Sequence, residues 1–150
     1  MSWRDPYAAS DNSVVSVAKT MVNGDIVFTV SGGPIVIISL SSECMTANDA
    51  TASTLQWQSA PTVGAAATIT GATTTLAAIA AGATIFASFI SLATAPIIAL
   101  AAAGGVQIDS GYLVHVNPGT IKLVMGVGST TGTWKHFLRY KPLAPGATVS

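Results

Sequence analysis

Apolar and polar residues alternate in short runs along most of this chain, the period of a half-buried β-strand. In the run 26–30, Ile26, Phe28 and Val30 share one face and Val27 and Thr29 the other. An Asn23-Gly24 pair separates that run from the β-branched stretch 13–22, which predicts a hairpin on a type I′ turn. Ser31-Gly32-Gly33-Pro34 breaks the chain, and Ile35 and Ile37 then oppose Val36, Ile38 and Leu40. A strand apolar on both faces belongs in the middle of a layered structure. Residues 43–53 read as a loop, and Leu55 and Trp57 then alternate with glutamines. Short runs follow at 65–70, 73–79 and 97–100. The run 83–92 fits either period, because Ile85, Phe89 and Leu92 also lie on one helical face, and its Thr, Ile and Phe content favours strand. Near the end, Ile121, Leu123, Met125 and Val127 share a face after the turn Asn117-Pro118-Gly119. After the turn 129–132, Trp134, His136, Leu138 and Tyr140 oppose Lys135, Phe137, Arg139 and Lys141. Many short strands with frequent turns predict an all-β fold, an antiparallel β-sandwich of jelly-roll type. The expected layout is an N-terminal arm over 1–12, one sandwich domain over 13–142 and a C-terminal tail over 143–150.

Charge changes the picture. Residues 50–108, between Asp49 and Asp109, are 59 in number and include no Asp, Glu, Lys, Arg or His. Only 8% of the chain is charged, 50% is hydrophobic and the formal net charge is zero. Disorder is excluded by that balance. No long-range field is available to gather nucleic acid, so none is expected as a partner. A surface with few charges resists association poorly, which points to one covered by other protein. The alternative is lipid: Leu76 to Val106 would pass a hydropathy filter for a membrane span. Pro96 and Gly82 interrupt it, Lys and Arg do not flank it closely, and strand-like runs bracket it, so a membrane partner is not expected. The polar N-terminus has no apolar core of a secretory signal, and synthesis in a cytoplasm is the expectation.

Candidate chemistry is sparse. Cys44 is the single cysteine, so an internal disulfide is impossible. A nucleophile–base pair would have to join Cys44 to His115 or His136, yet no glycine-shaped elbow surrounds Cys44. His136 falls on the core face of its strand and reads as a satisfied imidazole, whereas His115 points to solvent or an interface. Zinc needs clustered Cys and His, and calcium needs more carboxylates than Asn48 and Asp49 bring. Gly126-Val127-Gly128 lacks the lysine and helix of a phosphate loop. Neither an enzyme activity nor a cofactor, metal or small-molecule substrate is expected. Lys135, Arg139 and Lys141 form the one cationic cluster, with two readings: a contact surface, or the wet face of an edge strand guarded against pairing. Trp3, Arg4 and Tyr7 place large rings and a cation on the arm, a combination typical of interface anchors.

The stretches GDIVFTVSGGPIVIISLSSE (24–43), NDATASTLQWQSAPTVG (48–64) and GTIKLVMGVGSTTGTWKHFLRYKPLAPGA (119–147) resemble small structural proteins of tailed bacteriophage virions. The nearest resemblance is to decoration, or cement, proteins of the head, carried most by GSTTGTWKHFLRYKPL (128–143). That resemblance implies a compact β domain on the capsid exterior. It implies a homodimer or homotrimer that staples major capsid protein subunits, with Trp3, Arg4, Tyr7, Lys135, Arg139 and Lys141 as candidate contacts. It carries no active-site residue. Two other readings stand beside it: a tail, baseplate or fibre component on the same kind of fold, and a small membrane protein using 76–106.

Overall fold

The computed structural model describes residues 11–104 and 113–150. Its strands are β1 (Asn12–Val15), β2 (Lys19–Thr20), β3 (Ile26–Ser31), β4 (Ile35–Cys44), β5 (Thr54–Pro61), β6 (Ala67–Thr68), β7 (Thr84–Phe86), β8 (Ile97–Ala99), β9 (Val114–Val116), β10 (Gly119–Gly126), β11 (Thr133–Pro142) and β12 (Thr148–Val149). Every pairing between them is antiparallel. One sheet runs β1-β11-β4-β7-β8, with β2 also on β11 and β9 also on β4; the other runs β12-β3-β10-β5-β6. The two sheets pack together, and the protein is the all-β sandwich that the alternation predicts.

The core lies between the inner faces. Trp134, His136, Leu138 and Tyr140 of β11 are buried, as are Ile121, Leu123 and Met125 of β10 and Leu55 and Trp57 of β5. Alternation selects these residues because each strand offers every second side chain to the same layer. Long uncharged runs feed the core as well: Leu76, Ile79, Ala83, Ile85, Ala87 and Phe89 are all buried. Of these, Leu76 and Ile79 come from a turn-rich loop rather than from a strand. Among the described residues no helix is long and apolar enough to cross a membrane. Residues 76–104 fold into β7, β8, turns and one three-residue 3-10 turn at Ala101–Ala103.

Several local expectations are corrected. Asn23-Gly24 does not close a hairpin: β2 before it belongs to one sheet and β3 after it to the other. Asp25 N–H donates to the Val22 carbonyl at 3.1 Å, and only Gly24 has a positive φ, +86°. A type I′ turn needs two positive φ values, so this is a type II geometry and a corner between layers. The Asn23 side chain accepts from Met125 N–H at 3.0 Å, which ties the corner to β10.

Strand β4 is central as expected, flanked by β11 on one side and by β7 and β9 on the other. Its faces are not a simple alternation. The β11 register jumps from Ser39 to Ile37, so Ile38 is the extra residue of a bulge. That bulge brings Leu40, Ser42 and Cys44 onto the inner face with Ile35 and Ile37, all five being buried. Strand β11 is not an edge strand, because β1 and β2 cover its outer side. The segment 143–150, expected as a tail, contributes β12 to the second sheet through Thr148 and Val149. Val127 departs from its expected core face: it is exposed beyond the end of β10 with φ of 69°.

Candidate functional site

Trp3, Arg4 and Tyr7 lie outside the described residues. Lys135, Arg139 and Lys141 all sit on the outer face of β11, opposite the buried Trp134, His136, Leu138 and Tyr140. Two of them converge on one carboxylate. Arg139 Nε and Nη2 both reach Asp11 Oδ2 at 3.0 Å, and Lys141 Nζ stands 3.6 Å from Asp11 Oδ1. Lys135 lies further along the strand, in register with Glu43 of β4. The cluster is therefore less positive than its sequence reads, and Asp11 fastens the start of β1 to its neighbour. Sequence reasoning gave Asp11 no role, because Arg139 lies 128 residues away and Lys141 further still.

The candidate chemistry is absorbed by structure. Cys44 is buried, its thiol donates to the Thr46 carbonyl at 3.1 Å, and burial, reinforced by the Glu43 charge, pushes its pKa up to about 11. Nucleophilic cysteines have the opposite perturbation. His136 faces Ser42 rather than Cys44 across the β11–β4 pair, and Ser42 Oγ lies 2.6 Å from its Nδ1. The ring also packs edge-on to Trp57, with centroids 6.4 Å apart at 85°. Burial, above all, lowers the His136 pKa to about 4; Asp25 opposes the shift and Lys19 adds to it. The imidazole is thus neutral at pH 7. Ser42 is only 1% exposed, and its hydroxyl and the His136 imidazole engage one another beneath the surface.

Asn48 and Asp49 organise loops. Asn48 Nδ2 donates to the Leu76 carbonyl at 3.0 Å, and its Oδ1 accepts from Gly132 N–H at 3.0 Å and from Trp134 Nε1 at 3.2 Å. The Asp49 carboxylate accepts from Thr51 N–H at 2.8 Å, and hydrogen bonds from Thr51 hold its pKa below the usual carboxylate value. Among the described residues no three His, Cys, Asp or Glu side chains gather as a metal site.

Two surface features remain. The first is an open cleft of about 330 Å³ where β1 and β2 of one sheet stand away from β3 and β10 of the other. The second is a set of exposed aliphatic side chains on and near β8, the last strand of its sheet, of which Ile90, Leu92 and Leu113 line one hollow with His115. Ile90 is 65% exposed, Leu92 52%, Ile97 46%, Leu100 54% and Leu113 51%. Four of these five belong to the charge-free stretch. Among the described residues this sheet edge has no charged side chain to discourage pairing, and Pro96, just before β8, is the one edge-blunting residue there. Periodicity could not find this patch, because its residues look like core residues in sequence.

No protein-family model, curated protein or solved structure matches the chain. The functional reading therefore rests on the site itself and on the sequence resemblance described above.

Proposed function

We propose that this protein is a non-enzymatic structural subunit of a tailed-phage virion that decorates the head and cements major capsid protein subunits. The observation that carries the proposal is the exposure of aliphatic side chains on and near the β8 edge: Ile90, Leu92 and Leu113 around one hollow, with Ile97 and Leu100 exposed on and just after the strand. A patch of this kind marks a protein interface. The buried, hydrogen-bonded state of Cys44, Ser42 and His136 favours the same reading over chemistry. Trp3, Arg4 and Tyr7 on the arm and Lys135, Arg139 and Lys141 on β11 are secondary contacts in this proposal, the last two acting beside Asp11.

Jelly-roll connectivity is part of the proposal. Taking β1 with β2 as one strand position and β7, β8 and β9 as another leaves eight positions before β12. Their order is first-eighth-third-sixth in one sheet and second-seventh-fourth-fifth in the other, which supports that reading.

The test uses the purified chain and phage heads that lack it. The expected result is a dimer or trimer by light scattering and saturable binding to heads. The double substitution Leu92→Glu with Ile97→Lys should shift the chain to monomer and weaken head binding at least tenfold. Unchanged mass and unchanged binding in that variant would overturn the proposal.

A further inference from the structure

We propose that the cleft between the β1–β2 margin and β3 is a binding site for a small neutral amphipath bearing a hydroxyl group, such as a medium-chain alcohol. The cleft, about 330 Å³, lies at the small end of the range typical of ligand pockets, roughly 300–1,000 Å³. Its walls are aliphatic and aromatic: Val14, Val17, Ile26, Val27, Phe28 and Leu123. Such walls receive an alkyl or aryl body by removing apolar surface from water.

Polar residues line the cleft as well: Ser16, Lys19, Thr20, Asp25, His136 and Ser150. His136 lines the cleft although only 3% exposed. Its Nδ1 is engaged by Ser42 Oγ at 2.6 Å, and among the described residues its Nε2 has no hydrogen-bond partner. A ring nitrogen that meets a cleft and has no protein partner there is a place for a ligand atom or a water. The tautomer decides whether Nε2 donates or accepts, and a hydroxyl matches both cases because it can do either. At the rim, Lys19 Nζ and Asp25 Oδ2 pair at 3.2 Å, and both residues line the opening.

Charge decides between ligand classes. The imidazole is neutral, and Lys19 and Asp25 at the rim pair with one another, so neither side chain is left over for an ionised head in the cleft. A carboxylate or ammonium head entering it would lose hydration without a matching counter-charge. A neutral head does not meet that penalty.

The test titrates the full chain with 1-octanol, octanoate and octylammonium by calorimetry, and follows the His136 Nε2 resonance by nitrogen-15 NMR. The expected result is one saturable site for 1-octanol, a shift of the Nε2 resonance on binding, and at least tenfold weaker binding of both charged probes. Val15→Trp fills the rim at a position already 53% exposed, so the fold should tolerate it, and octanol binding should disappear. His136→Phe should weaken octanol binding about fivefold, the equivalent of one ordinary hydrogen bond of about 1 kcal/mol. If His136→Phe fails to fold, the resonance in the unmodified protein still decides. Equal affinity for all three probes, binding that survives Val15→Trp, or saturation without movement of Nε2 would each overturn the proposal.

Discussion

His136 makes stability depend on pH in a window where few other groups titrate. In the unfolded chain its pKa is the ordinary 6.5, and in the folded protein burial brings it to about 4. Between those values the unfolded state binds more protons than the folded state, so stability rises with pH. The contribution is complete above pH 6.5, falls as pH drops through the window and levels off below pH 4. At pH 5 the unfolded imidazole is almost fully protonated and the folded one about a tenth protonated, which amounts to about 2 kcal/mol lost relative to pH 8. A domain of this kind has about 5–15 kcal/mol in total, so the loss is readily measured.

The groups around the ring do not reverse the sign. Ser42 of β4 and Trp57 of β5 are uncharged, while Asp25 and Lys19 at the cleft rim pull in opposite directions. Urea unfolding followed by fluorescence at pH 8, 7, 6 and 5 should show the midpoint falling with little change in slope. His136→Gln removes the titration while keeping a polar side chain beside Ser42, and its midpoint should vary far less over the same range. A flat profile in the unmodified protein, or an equal fall in His136→Gln, would refute the assignment of the effect to this ring.

Two further outcomes follow from buried groups. Asn48→Ala removes three hydrogen bonds to loop and core partners and leaves Trp134 Nε1 without an acceptor, so about 3 kcal/mol of stability should be lost. In thermal unfolding that is a fall of about 6 to 12 °C, and a fall under about 2 °C would show that water replaces Asn48. Cys44, with its pKa pushed up to about 11, should resist a thiol reagent at pH 8 in the folded protein and react fully in urea. Rapid stoichiometric labelling of the folded chain would contradict its burial.

Much of the fold was legible because alternation is a local property. The inner face of β11 (Trp134, His136, Leu138, Tyr140) could be read residue by residue, as could Leu55 and Trp57 on β5. What escaped depends on contacts distant in sequence. The Asn23-Gly24 signal specifies a tight turn but not whether the two flanking strands join one sheet or two. The bulge at Ile38 follows from the register against β11, and no pattern within 35–44 announces it. Asp11 cannot be seen as the partner of Arg139 and Lys141 until β1 is laid beside β11. The cleft likewise exists only because β1 and β3 end up on different layers.

The charge-free stretch divides between two fates that sequence could not separate. Ile85 and Phe89 are buried, whereas Ile90, Leu92, Ile97 and Leu100 are about half exposed although equally apolar. Fully burying such a side chain is worth about 1.5–3 kcal/mol, so covering the remaining half of these four yields about 4 kcal/mol on each partner. Losing the freedom of two partners on association costs about 4–15 kcal/mol. The patch is therefore necessary but marginal for an isolated pair, and a stable dimer or trimer adds further area to it. On a lattice the same contact is repeated at high effective concentration, and a marginal pairwise energy becomes a firm attachment. A surface this apolar yet this modest suits a subunit that gains its grip from repetition rather than from any single tight interface.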